Sequence, residues 1–158
     1  MLRDPSLIPL SRQHQHALAL CVRLDRALEA GGADLAAWQV EMHQHYTSEI
    51  QFHFLAEENV LFPAARAFIE LVPLVEELSG DHRRLREFLV HAEQGTMDEA
   101  DLRKFVELLS EHIRKEERQL FEGMQQRMDA EQRSAIGLQL ERALEEAVRQ
   151  CRLSPGPL

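Results

Sequence analysis

The chain has 158 residues, of which 44% are hydrophobic and 28% charged, and its formal net charge is −9. That length supports one domain with a substantial core. An acidic chain with no Lys/Arg-rich run is unsuited to nucleic acid or to an anionic membrane surface, and no apolar run reaches membrane-spanning length. The opening residues, "MLRDPSLIPL", carry Asp4, Pro5 and Pro9 and lack the apolar stretch of a signal peptide, so a cytoplasmic protein is expected. Cys21 and Cys151 stand far apart with no C-x-x-C, which argues against a disulfide framework or a cysteine zinc site.

Helix formers dominate and period-two alternation is missing, so the fold class is all-α. Ser11, after Pro9, reads as the N-cap of a first helix over 11–30, closed by Gly31 and Gly32. Asp34 caps a second over 34–69, which Pro63 should kink or end. Pro73 suits the first turn of a third over 73–94, ended by Gly95. Thr96 and Glu99 have capping-box spacing for a fourth over 97–127. Asp129 can cap a fifth over 130–150. Short connections imply an antiparallel up-down-up-down four-helix bundle with an additional C-terminal helix. One domain over 1–153 is expected, with 154–158, "SPGPL", expected to be a disordered tail. Ile136, Leu140, Leu144 and Ala147 make one apolar face of the fifth helix. It packs along the bundle or faces a second copy in a homo-oligomer.

Eight histidines direct the search for chemistry. The inward stripes can be drawn at helical spacing as His14, Ala17, Cys21, Leu24, Leu28; then Met42, Tyr46, Ile50, His53, Glu57, Val60, Ala64; then Leu78, His82, Leu85, Leu89, Ala92; and Leu102, Phe105, Leu109, His112, Glu116, Leu120. Each is apolar except where His or Glu interrupts it. Buried carboxylates without partners are costly, and a cation is the compensation that suits them.

The interruption is repeated. "HFLAEENVLFP" from His53 and "HIRKEERQLFE" from His112 share His, three residues, two Glu, two residues and Leu-Phe. At 1.5 Å per residue, His14 lies roughly 24 Å before the first turn and His53 roughly 28 Å after it; His82 and His112 lie roughly 20 and 22 Å from the third turn. The groups can therefore meet at one level. Each hairpin supplies a lone His and a His-x-x-x-Glu pair on one helix face. Two imidazoles and a carboxylate with open positions suit non-haem iron, and two such sets suggest a dinuclear site bridged by Glu57 and Glu116.

A third pair, His45/Glu49, lacks the following E-x-x-L-F and reads as a solvated face, with Glu49 a candidate partner for His53. His16 competes with His14, but its stripe would turn Arg23 inward. His43 and His91 read as surface groups or outer partners. Glu58 and Glu117 point about 100° away from their neighbours, toward solvent or behind the ligands. Phe54, Phe62 and Phe121 are packing residues that could shield the site.

"RQHQHALAL", "HFLAEENVLFP", "DHRRL" and "HIRKEERQLFE", in that order, resemble the hemerythrin-like HHE cation-binding domain family over residues 8–125. The resemblance implies a four-helix bundle around a non-haem centre of two iron ions, with His14, His53, Glu57, His82, His112 and Glu116 at the ligand positions and an oxo or hydroxo bridge between the metals. Two departures stand out. Arg86 occupies the position of the carriers' second helix-three His, and Glu116 stands one residue short of their Asp. The pattern resembles a six-residue, bacterial-type site more than an oxygen carrier. The function implied is binding or sensing of O₂, NO or iron. An oxidase or peroxidase acting on O₂ or peroxide, and a partner-binding bundle with a vestigial site, are the competing classes. Zinc or manganese could substitute for iron. The ferritin-like pattern does not fit, because no Glu-x-x-His occurs.

Overall fold

The computed structural model describes residues 2–153, all-helical in its regular elements. A 3₁₀ turn, Pro5–Leu7, leads into α1, Ile8–Ala30. Helix α2 is a continuous rod over 35–65 that contains two π-helical turns, Tyr46–Ile50 and Glu57–Leu61. Helix α3 is Val72–Gln94, α4 runs over 99–127 with a π turn at Glu116–Leu120, and α5 is Ala130–Leu153. Helix α1 packs on α4, α2 on α3, and α3 on α4, as an up-down-up-down bundle requires.

The stops and starts follow local chemistry. The Asp34 carboxylate accepts from the Ala37 N–H at 3.0 Å and starts α2. Gly95, at φ 67°, takes the left-handed position that ends α3. Asp129 and Gln132 exchange hydrogen bonds across the start of α5, at 2.8 and 3.0 Å.

Three local expectations are corrected. Ser11 lies inside α1, because Pro9 belongs to the helix's first turn, where its missing N–H costs nothing. No side chain caps α1 itself; Asp4 caps the 3₁₀ turn before it, accepting from the Ser6 N–H at 3.0 Å. The capping box of α4 is Asp98 with Asp101, while Thr96 donates its hydroxyl back to the His91 carbonyl in the closing turn of α3. Helix α2 ends at Ala65, two residues past Pro63, rather than at 69.

The π turn at Glu57–Leu61 shifts the buried stripe of α2. One extra residue per π turn advances the next side chains by about 100°. Beyond Glu57 the buried positions are therefore Leu61 and Ala65, and the expected Val60 and Ala64 are only half-buried. The stripes drawn on α1, α3 and α4 are buried throughout.

The core has three layers. One apolar cluster, including Leu24, Leu28, Met42, Leu89, Leu102 and Phe105, fills the end near the α1–α2 and α3–α4 turns. Another, including Leu10, Leu61, Phe62, Leu78, Phe121 and Met124, fills the opposite end. Burying a side chain of this size contributes roughly 1.5–3 kcal/mol. Between the two lies a buried polar layer.

Helix α5 closes the second end. Ile136 and Leu140 are buried there, and Leu144 packs half-buried against the same cluster. The α5 backbone crosses Ser6 closely: a Cβ at Gly137 would stand 2.9 Å from the Ser6 Cβ. The apolar face of α5 therefore lies along the bundle. The Ala147 side chain and the tail 154–158 fall outside the described residues. None of the described helices is long and apolar enough to cross a membrane.

Candidate metal centre

His14 on α1, His53 and Glu57 on α2, His82 on α3, and His112 and Glu116 on α4 converge in the polar layer. All six are at most 5% exposed. They form two groups of four, His14, His53, Glu57, Glu116 and Glu57, His82, His112, Glu116, with ligand-type atoms in each lying within 4.8 Å of one another. Glu57 and Glu116 belong to both groups.

Each shared carboxylate directs one oxygen to each side. Glu57 Oε1 is 3.0 Å from His53 Nε2, and its Oε2 is 3.3 Å from His82 Nε2. Glu116 Oε2 is 3.0 Å from His14 Nε2, and its Oε1 is 3.4 Å from His112 Nε2. The imidazoles meet in pairs as well, His14 and His53 with Nε2 atoms 3.0 Å apart, His82 and His112 at 3.2 Å.

Every imidazole turns Nε2 inward and Nδ1 outward. His14 Nδ1 is 2.7 Å from Glu117, His82 Nδ1 is 2.8 Å from Glu58, and His53 Nδ1 is 2.8 Å from the Gln13 side-chain oxygen. His112 Nδ1 lies 3.5 Å from Asp81, which is itself fully buried. A carboxylate only accepts, so Glu117 and Glu58 hold the proton of their histidines on Nδ1. In the neutral tautomer the Nε2 lone pair then points at the centre, as in histidines that ligate metals.

The outer partners obey a pseudo-two-fold pattern. The residue before each lone His, Gln13 or Asp81, faces the His of the same hairpin's pair; the residue after each shared Glu, Glu58 or Glu117, holds the lone His of the other hairpin. The orienting roles of Gln13 and Asp81 were not anticipated. "QH" at 13–14 and "DH" at 81–82 were the available signal, inside the quoted motifs and directly before each lone His.

The same repetition accounts for two π turns. The Phe62 N–H bonds the Glu57 carbonyl, and the Phe121 N–H bonds the Glu116 carbonyl, five residues back in each case. Leu61-Phe62 and Leu120-Phe121 are thereby both buried, and the rings reach the histidines. Phe121 stacks on His14 at 5.5 Å, Phe62 on His82 at 5.3 Å, and Phe54 on His82 at 3.9 Å.

Electrostatics match this crowding. Burial alone would lower the His14 pKa, but Glu116 and Glu117 outweigh it and raise it to about 10. His82 is likewise raised to about 9, against its burial, by Glu57 and Glu58. Burial would raise Glu57 and Glu58; His53 and His82 instead hold Glu57 well below the usual carboxylate range, and His82 with Arg86 brings Glu58 to about 2.

The donor set fits a cation on a further observation. All four oxygens of Glu57 and Glu116 are buried, and among the described residues none finds a donor in hydrogen-bonding geometry. Protein interiors rarely leave such atoms orphaned. Converging lone pairs of four imidazoles and two carboxylates are what a metal ion satisfies.

The remaining histidines lie elsewhere. His16 is 61% exposed at its side chain and pairs with Glu49 at 3.0 Å on the surface, so His14 and not His16 enters the cluster. His45 and His43 stand outside both groups, and His91 meets Thr96 at the end of α3. Arg86 is turned away from the centre, bonding both oxygens of Glu58 at 2.7 and 3.0 Å.

The fold and the polar layer define a class: a helical bundle whose interior presents histidine and carboxylate groups to a cation. The chain belongs to the hemerythrin family, matching the Hemerythrin HHE cation binding domain over residues 9–123. No curated protein and no solved structure matches it.

Proposed function

We propose that the protein holds two iron ions through His14, His53, Glu57, His82, His112 and Glu116 and that the loaded centre binds or senses a small ligand such as O₂ or NO. The observation that carries this reading is the double membership of Glu57 and Glu116: each offers one oxygen to each group, as a carboxylate bridging two cations does. A loaded iron centre would supply open coordination positions and reversible redox chemistry to an incoming ligand. Two imidazoles and two carboxylate oxygens per position leave such positions, where tetrahedral structural zinc would be closed.

The chain's own residues set access. A small cavity of about 10 Å³ adjoins His14, His53 and His112 and is otherwise lined mainly by Ala17, Ile50, Phe54, Leu109 and Ile113. Free space on this scale holds about one water-sized molecule. The His82 side is covered by the Phe54 and Phe62 rings. These features support a ligand of one or two heavy atoms approaching the His14/His53 side. Gln13 and Glu117, by fixing ring orientation and tautomer there, keep both Nε2 lone pairs available.

Protein expressed with iron is expected to contain about two iron atoms per chain, as a two-metal site requires, with spectra that differ between anaerobic, aerobic and NO-treated samples. His14→Ala should lower the iron content, and His16→Ala should leave it unchanged. Iron-free protein, or equal iron in the His14 variant, would overturn the assignment. Sustained consumption of peroxide or O₂ in the presence of a reductant would move the function to an oxidase or peroxidase.

A further inference from the structure

Two arginines from unrelated places in the chain grip the pseudo-equivalent glutamates behind the cluster. Arg86 on α3 grips Glu58, which holds His82. Arg3, in the segment before α1, donates to the Glu117 carboxylate at 2.5 Å and to the Glu117 carbonyl at 2.8 Å, and Glu117 holds His14. Arg3 precedes the matched family region, 9–123.

The segment that carries Arg3 is fastened by residues beyond the other end of that region. Arg3 and the Asp4 N–H both donate to the Gln125 side-chain oxygen, at 3.0 and 3.2 Å. Arg133 of α5 pairs with Asp4 at 2.8 Å. Gly137 of α5 admits Ser6 at a distance that leaves no room for a Cβ. The guanidinium also lies 5.0 Å from the centre of the Phe121 ring, which stacks on His14. Arg3 is thus held by Gln125 of α4, its segment is pinned on α5 through Asp4 and Ser6, and it reaches His14 by two routes.

We infer that Arg3 is a positioning residue for the His14/His53 half of the centre and that the N-terminal segment and α5 form a clasp delivering it, while Arg86 does the same for the His82/His112 half. This rests on the two-metal reading above. The planar guanidinium spans Glu117 with one nitrogen and Gln125 with the other, so its direction toward Glu117 is fixed. A fixed Glu117 holds the His14 ring in one rotamer and one tautomer. Loss of such an outer partner lowers metal affinity about 10- to 100-fold at the site it supports.

The test uses iron-57-loaded full-length protein and Mössbauer spectroscopy, which resolves two unequal irons as two signals. Arg3→Ala is expected to change one signal and to release that iron to a chelator about tenfold faster or more, with the other signal unchanged. Arg86→Ala should change the other one. Arg3→Lys, which keeps the charge but not the rigid span between Glu117 and Gln125, should restore release only in part. Arg133→Ala, which frees the clasp without touching Glu117, should shift the same signal as Arg3→Ala, to a smaller extent. A purely structural role would lower the melting temperature and disturb both signals alike, which would overturn the inference. Unchanged signals and release rates in Arg3→Ala, with two irons in the unaltered protein, would overturn it alone; absence of iron from the unaltered protein would remove the two-metal reading as well.

Discussion

Glu57→Ala is expected to empty both metal positions at once. Glu57 faces His53 with one oxygen and His82 with the other, so its loss removes a donor from each group. Glu116→Ala is the pseudo-symmetric counterpart and should act alike, since its oxygens face His14 and His112. Metal that binds only the folded state stabilises it, by about 4 kcal/mol at a thousandfold excess over Kd. For a chain of this size, roughly 2–4 °C of melting temperature accompanies each kcal/mol. The unaltered protein should therefore melt roughly 8–16 °C higher with metal than without, and in both Glu variants that gap should close. The comparison with and without metal isolates this effect from any change in the metal-free fold. A gap that persists in Glu57→Ala, together with native metal content, would falsify the bridging role.

The second large effect is on pH. In the metal-free protein His14 and His82 have pKa values raised to about 10 and about 9 from an ordinary 6.5. Raised values mean that the folded state binds these protons more tightly than the unfolded chain. Their stabilisation is complete below pH 6.5 and is lost as pH rises toward 9 and 10. Glu57 and Glu58 are depressed, so their stabilisation is complete above the ordinary 4.5 and is lost as pH falls below it, toward about 2 for Glu58. Metal-free protein should consequently be most stable between pH 4.5 and 6.5. Metal acts in the opposite sense. It needs Nε2 lone pairs, so binding displaces protons and tightens with rising pH. Thermal melts across this range, with and without anaerobic ferrous iron, should show the metal-free midpoint falling above pH 6.5 while the gap to the loaded protein widens. A flat metal-free midpoint from pH 6.5 to 9, or a gap that narrows with pH, would contradict the charge assignment.

The cluster was legible in the sequence because it is periodic. His14, His53, Glu57, His82, His112 and Glu116 stand in phase with apolar stripes, and a polar group in such a stripe has nowhere to point but inward. The repeated His-x-x-x-Glu-Glu-x-x-Leu-Phe phrase further announced two equivalent halves. The choice of His14 over His16 followed from what else would turn inward with it. Helix boundaries were less legible at Ser11, Thr96 and the end of α2, where several residues can satisfy the same unpaired backbone groups and only the folded chain selects one.

The π turns lay beyond the reach of a 3.6-residue period. The one at Glu57–Leu61 is visible only as its failure, when Leu61 and Ala65 are buried in place of Val60 and Ala64. Which histidine each outer partner meets was hidden for a different reason. Glu117 meets His14 across 103 residues of chain, and Arg3 meets Glu117 across 114. No spacing rule links such positions. Local periodicity along each helix thus determined which side chains face the interior and hence the kind of chemistry available. Packing between helices decided which of them meet, which carboxylate oxygen faces which imidazole, and what stands behind each ring, because those distances depend on how rods distant in sequence are set against one another.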